Sequence, residues 1–304
     1  MAAGGQQRGI AIPFAVALAG IGVFSSMDAL MKGLALSIGA YNALLWRTAA
    51  GALLGGSVFL LRRMRRPGRA ALRMHLIRGG LSTVMAFLFF WGLARVPMAQ
   101  AIALAFIAPL VALYLAALWL GEKIGRRAIL ASLLGLAGVA VILAGEARAP
   151  LGPEALAGSA AILASAALYA CNIVLMRAQA QVAGPVEVAF FMSAVMTTGF
   201  LLAAPWFAAV PPREAWPAIL GAALLAFASL MLLAWAYARA EAQYLAATEY
   251  SGFVWAAVWG WTIFAEPVRP FTLAGAAMIV CACLIASRAR LPAELAEAHA
   301  EGAL

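Results

Sequence analysis

The sequence predicts an all-α polytopic membrane protein, with ten transmembrane helices arranged as two five-helix inverted repeats and both termini in the cytoplasm. Three observations predict it. The 304 residues are 66% hydrophobic and 11% charged, where a soluble domain is nearer half apolar and a quarter charged. Apolar runs of about 20 residues, the length a membrane-spanning helix needs, recur along the chain. Distinctive residues also coincide when the sequence is shifted by 144 positions.

The apolar runs fall at 10–31, 41–61, 77–95, 98–119, 127–145, 155–177, 185–207, 216–238, 242–264 and 269–287. Breakers separate them: "RRPGR" at 65–69, "APLGP" at 149–153 and "VPP" at 210–212. The first run follows a single arginine, Arg8, but is long enough to span, so an uncleaved first helix is expected. The net charge of +9 sits largely in loops. The most basic of these, "RRMRRPGRAALRMHLIR" at 62–78, holds His75. Placing that loop in the cytoplasm puts both termini there and satisfies the positive-inside rule. A multi-pass membrane location is therefore expected, and nothing in the charge pattern calls for nucleic acid.

The shift by 144 residues sets Trp91 on Trp235, Arg95 on Arg239, Gly55 on Gly199, Asp28 on Asn172 and Glu122 on Glu266. Each "W-x-x-A-R" precedes its glutamate by the same distance. Five spans per half is an odd number, so the second half enters the membrane from the opposite side. The expected units are 1–148, 149–288 and a polar tail at 289–304. Inverted repeats of this kind place a substrate site near mid-membrane, between the halves.

The chain resembles the EamA-type members of the drug/metabolite transporter superfamily over essentially its whole length. The segments that carry the resemblance are "GIGVFSSMDALMKG" (20–33), "LLWRTAAGALL" (44–54), "IAPLVALYLAALWLGEKI" (107–124) and "YSGFVWAAVWGWTIFAEP" (250–267). The family's helix-end "GE" stands at Gly121–Glu122 and becomes Ala265–Glu266 in the second copy. The resemblance is greatest to bacterial exporters of aromatic amino acids and related amphipathic metabolites. It implies a secondary transporter working by alternating access, a small-molecule substrate, the lipid bilayer as partner, and a monomer. The same scaffold carrying nucleobases, sugars or drugs is the alternative, and an intramembrane enzyme a distant one.

Charges inside membrane spans are costly and point to function by default. Glu249 lies about seven residues, roughly 10 Å, into the ninth apolar run. Phe253, Ala256 and Gly260 share its helix face. That carboxylate is either a polar handle in a substrate path or half of a structural pair with Arg239 or Arg177. Its counterpart is Ala105, four residues before Pro109. A proline there strips the carbonyl of residue 105 of its helical partner, which either lines a cavity or marks a plain kink. Asp28 and Lys32 read as a structural i,i+4 pair near the far end of the first helix, with Arg47 nearby. Asn172, beside Tyr169, offers a donor and an acceptor to a substrate or to a neighbouring helix.

The aromatic residues bear on the substrate. Trp91 precedes Arg95 by four residues, and Trp235 precedes Arg239 by four. Each pair either stacks as a cation–π gate at one mouth or belongs to the interfacial belt. Phe87, Phe106, Tyr169 and Tyr250 lie deeper and suit the walls of a site for planar substrates, or core packing.

No Walker A, "GxSxG", "HExxH" or "CxxC" pattern occurs, so no cofactor or metal is expected and transport is gradient-driven. "GALLG" at 51–55 and "GLAG" at 135–138 read as small-residue helix contacts. Cys171, Cys281 and Cys283 lie in apolar runs as small hydrophobes. Glu266 is expected to cap or contact a loop at the next helix.

Overall fold

This computed structural model describes residues 3–64, 66–108, 110–111, 114–115, 126–147, 153–180, 182–237, 239, 248 and 250–288. Its helices are α1 (Ala3–Ile38), α2 (Ala40–Leu61), α3 (Arg69–Leu93), α4 (Met98–Ala105), α5 (Arg126–Ala147), α6 (Pro153–Ala180), α7 (Pro185–Leu202), α8 (Trp216–Tyr237), α9 (Ser251–Phe264) and α10 (Pro270–Arg288). One further turn of helix spans Ala204–Phe207, and a 3-10 turn Arg213–Ala215. No strand occurs among the described residues. Among the described residues, six segments are long and apolar enough to cross a membrane: Ile12–Ile38, Ala40–Leu61, Arg69–Leu93, Pro153–Asn172, Pro185–Leu202 and Arg213–Ala236. Ser132–Gly145, Ser251–Phe264 and Pro270–Ala282 are shorter apolar helices.

Helix packing comes in pairs related by the 144-residue shift. The α1–α8 contact is matched by α6–α3, α3–α7 by α2–α8, and α1–α9 by α4–α6. The pairs α2–α7, α4–α9 and α5–α10 each map onto themselves. Helix association in membranes relies on close van der Waals packing of small residues, and the glycines show where. A Cβ on Gly138 would lie 2.7 Å from the Gly275 carbonyl oxygen, and one on Gly275 2.5 Å from that of Gly138, so α5 and α10 touch backbone to backbone. A Cβ on Gly55 would come within 3.0 Å of the Phe190 Cα, which joins α2 to α7. The "GALLG" and "GLAG" segments are thus packing sites, as expected.

Three elements depart from the predicted limits. α1 continues to Ile38, because no breaker intervenes before Gly39, which turns the chain at φ 80°. Asp28 therefore lies ten residues, about 15 Å, from that end, not near it. α3 starts at Arg69, so His75 is a buried helix residue and not part of the basic loop. α4 is interrupted by a turn at residues 106–107, with helix again at the described residues 108, 110–111 and 114–115, and the ninth run is likewise interrupted at Tyr250 before α9 begins at Ser251. Glu249, Pro109, Gly121 and Glu122 lie outside the described residues, as do the side chains of Arg177 and Cys283.

Candidate functional site

The bundle has a basic end, carrying the Arg62–Gly68 turn and Arg239, and an opposite end, carrying Gly39, Pro97, Ala209 and Glu266. Between them, α4 stops and α9 begins at equivalent positions. Phe106 is the C-cap of α4, with φ −64° and ψ −7°; Tyr250 is the N-cap of α9, with φ −70° and ψ −17°. The two residues coincide under the 144-residue shift. Their rings meet edge to face at 5.4 Å between centroids. Two sequence-predicted wall residues are thereby brought together at equivalent positions of the two repeats, where interrupted backbone is tolerated because it packs against the protein core. Further along α9, Trp255 and Trp259 stack with centroids 6.3 Å apart, and Trp255 lies against Gly22 of α1. Phe87 is half-buried and packs on the main core. Tyr169 is 40% exposed and within electrostatic reach of Arg78. Neither meets Phe106 or Tyr250 in a ring pair among the described residues.

The opposite end is closed by an ionic knot. Lys32 Nζ pairs with Glu266 Oε1 and donates to the Val96 carbonyl oxygen at 2.7 Å. Glu266 Oε2 accepts the Met98 backbone N–H at 2.9 Å, at the start of α4. Lys32 also lies 5.2 Å from the Phe264 ring centroid. Glu266 thus caps a helix, where the positive end of the dipole favours an acid. The helix is α4, from the other half of the chain, and not the following one. The pairing of Lys32 with Asp28 read from the sequence is replaced by this longer-range contact. Glu266 is presented by a helix ending in the left-handed conformation: Ala265 has φ 53°, and the Glu266 N–H bonds the Gly260 carbonyl oxygen at 3.0 Å. Behind the carboxylate, a cavity of about 10 Å³ bordered by Gln100, Arg269 and Thr272 has room for one water.

The basic end is built differently. Asn172 is buried and its Oδ1 accepts from Arg78 Nε at 2.9 Å. Arg78 Nη1 donates to Gln179 Oε1. Gln179 Nε2 meets His75 Nδ1 at 2.8 Å, and His75 Nε2 meets Glu187 Oε1 at 2.9 Å. The His75 ring stacks on Phe191, centroids 4.6 Å apart. One polar chain therefore ties α6, α3 and α7. Of its members only Asn172 was singled out from the sequence, and of its two readings the contact with a neighbouring helix is the one observed. Buried polar groups require such partners. The signal was present: His75, Arg78 and Ser82 share one face of α3 at helical spacing.

The two Trp–Arg pairs adopt one geometry. The Arg95 guanidinium carbon is 3.6 Å from the Trp91 ring centroid, and that of Arg239 is 4.1 Å from Trp235. Each arginine also bonds the tryptophan's own carbonyl oxygen, at 2.9 and 3.2 Å. Such stacking contributes about 0.5–1 kcal/mol at exposed sites. One pair stands at each end of the bundle.

Among the described residues, no group of three or more His, Cys, Asp or Glu could hold a metal ion. Residues 11–144 and 156–288 each match the EamA-like transporter family. The pseudopaline exporter of Pseudomonas aeruginosa is 31% identical over 276 residues, covering 88% of this chain and 93% of that protein. Riboflavin transporters are also similar. That of Vibrio cholerae is 27% identical over 208 residues, 68% of each chain. That of Rhizobium johnstonii is 29% identical over 241 residues, 76% of this chain and 77% of its own. A solved crystal structure covers 93% of this chain and 99% of its own with a TM-score of 0.61 at 21% identity, a likeness of fold.

Proposed function

This chain belongs to the EamA-like transporter family, and from that premise we propose that it exports small amphipathic metabolites, aromatic amino acids foremost, by alternating access across the bacterial inner membrane. It is a transporter and not an enzyme. Ten spans form two inverted five-helix repeats, with the basic end and both termini in the cytoplasm. The halves rock about the Phe106–Tyr250 pair, where α4 and α9 are interrupted. That pair is the single observation that carries the substrate reading. It sets two aromatic faces at the repeat interface, where a planar side chain gains stacking contacts. In this reading the Lys32–Glu266 knot is the closed periplasmic gate. Trp91–Arg95 and Trp235–Arg239 line the two mouths, and Glu249, Phe87 and Tyr169 border the path, while Asn172 serves the tie between helices. Relatives named for the export of pseudopaline and the transport of riboflavin support small-molecule cargo.

Counterflow in proteoliposomes with labelled amino acids, nucleobases, sugars and cationic drugs tests this proposal. Exchange of phenylalanine, tyrosine or tryptophan above every other class is expected. Exchange confined to another class would transfer the scaffold to that cargo, and no exchange with any member would overturn the transporter reading.

A further inference from the structure

Asp28 of α1 is 2% exposed, yet its Oδ1 has no hydrogen-bond partner among the described residues. Arg47 of α2 acts on it electrostatically. The two form no salt bridge or hydrogen bond among those the described residues make, and Arg47 Nε is likewise buried without a partner. Ser25, one turn before Asp28 on the same face of α1, also buries an unpartnered Oγ. A buried acid and a half-buried base whose Nε is itself buried ordinarily close on each other, because an unpaired buried charge costs several kcal/mol.

The counterpart at the basic end shows what a closed arrangement looks like. Asn172, on the position equivalent to Asp28, is satisfied by Arg78 of α3. The position equivalent to Arg78 is Ala222 of α8, fully buried and without a polar side chain. α1 packs on α8 as α6 packs on α3, so Asp28 has lost the partner its symmetry mate keeps.

We infer that Asp28 and Arg47, with Ser25 beside them, form the head-group subsite for a zwitterionic α-amino acid. The substrate ammonium bonds Asp28, and its carboxylate bonds Arg47 in the bidentate manner guanidinium favours. The inference rests on the proposed export of aromatic amino acids. Lys32, one turn from Asp28 on α1, bonds Val96 just before α4, and Phe106 stands at the far end of α4, so Phe106 lies deeper in the bundle than Asp28 and an inward-extending side chain approaches its level. The subsite carries one charge of each sign. It therefore accepts a ligand with one charge of each sign and rejects an analogue lacking either, because one buried charge would stay unpaired.

The test uses the full chain in proteoliposomes with labelled L-phenylalanine, phenethylamine and 3-phenylpropionate. Wild type is expected to exchange phenylalanine at least tenfold faster than either analogue. Asp28→Asn narrows the gap to 3-phenylpropionate at least tenfold, and Arg47→Gln does so for phenethylamine. Should a variant fail to fold, competition on the wild type decides: phenylalanine amide and N-acetylphenylalanine are expected to leave phenylalanine exchange unaffected. Equal loss for all three probes, equal exchange of all three by wild type, or effective competition by the blocked analogues would each overturn the subsite while leaving export intact. If Asp28→Asn keeps exchange and loses only proton-driven accumulation, Asp28 is a proton site and the inference fails. If wild type exchanges no phenylalanine, the export reading fails together with the subsite.

Discussion

The two ends of the bundle occupy equivalent positions and use them in opposite ways. At the basic end, Asn172, Arg78, Gln179, His75 and Glu187 form one hydrogen-bonded chain. Their counterparts toward the other end are Asp28, Ala222, Ala35, Ile219 and Ala43, four of them apolar core. Conversely, Lys32 of the ionic knot corresponds to Met176, and Arg47 corresponds to Phe191, which stacks on His75. The repeat supplies a common backbone, and each half places its polar side chains where the other is apolar. One end becomes a static tie between helices. The other holds the Lys32–Glu266 ion pair, with Asp28 and Arg47 carrying unpartnered buried atoms nearby.

The strongest way to break this contrast is to unmake the knot. Glu266→Gln leaves Lys32, itself 3% exposed, without its anion. A loss of about 3 kcal/mol in stability is expected, since stranding one buried partner costs about 3–5 kcal/mol and Glu266 is partly exposed. Thermal unfolding in detergent reads this directly. The double variant Lys32→Met with Glu266→Gln removes both charges of the knot, with position 32 taking the methionine found at the equivalent Met176, and should recover more than half of the loss. No recovery would mean that the Met98 cap, not the ion pair, holds α4.

Arg78→Ala attacks the static end. It strands Asn172 and Gln179, so a loss of about 2 kcal/mol is expected, with transport per folded molecule unchanged. If flux falls while stability holds, the network belongs to the path and the two ends are less different than drawn. The smallest effect is at Ala265, whose φ of 53° suits glycine. Ala265→Gly relieves left-handed strain, offset in part by unfolded-chain entropy. A gain of about 0.5 kcal/mol is expected by the same unfolding measurement, and a loss would contradict the capping geometry assigned to Glu266.

Much of this organisation was legible in the sequence. Apolar run length located the helices, and Trp91/Trp235, Arg95/Arg239 and Glu122/Glu266 exposed the repeat. The cation–π stacking of both Trp–Arg pairs was one of the two readings that their i,i+4 spacing left open. What escaped was non-local. Lys32 has Asp28 one turn away, so local spacing favours that pair, and only tertiary packing brings Glu266, distant in the chain, to Lys32 instead. His75 seemed to be a loop residue because basic residues 62–78 interrupt the apolar run, yet helix geometry continues through charges that find buried partners. The end of α4 at Ala105 was foreshadowed by Pro109 alone, and residue preference does not say whether a proline kinks a helix or interrupts it.

The central claim is that Phe106 and Tyr250, facing each other across the repeats, give the site its preference for aromatic cargo. Counterflow of labelled phenylalanine and labelled leucine by wild type and by Phe106→Leu tests it most directly. The leucine side chain keeps the volume apolar and removes the ring. Phenylalanine exchange should fall about threefold to tenfold while leucine exchange holds or rises, since an edge-to-face ring contact contributes about 0.5–1.5 kcal/mol. An unchanged phenylalanine-to-leucine ratio would contradict the account, whatever happened to the absolute rates.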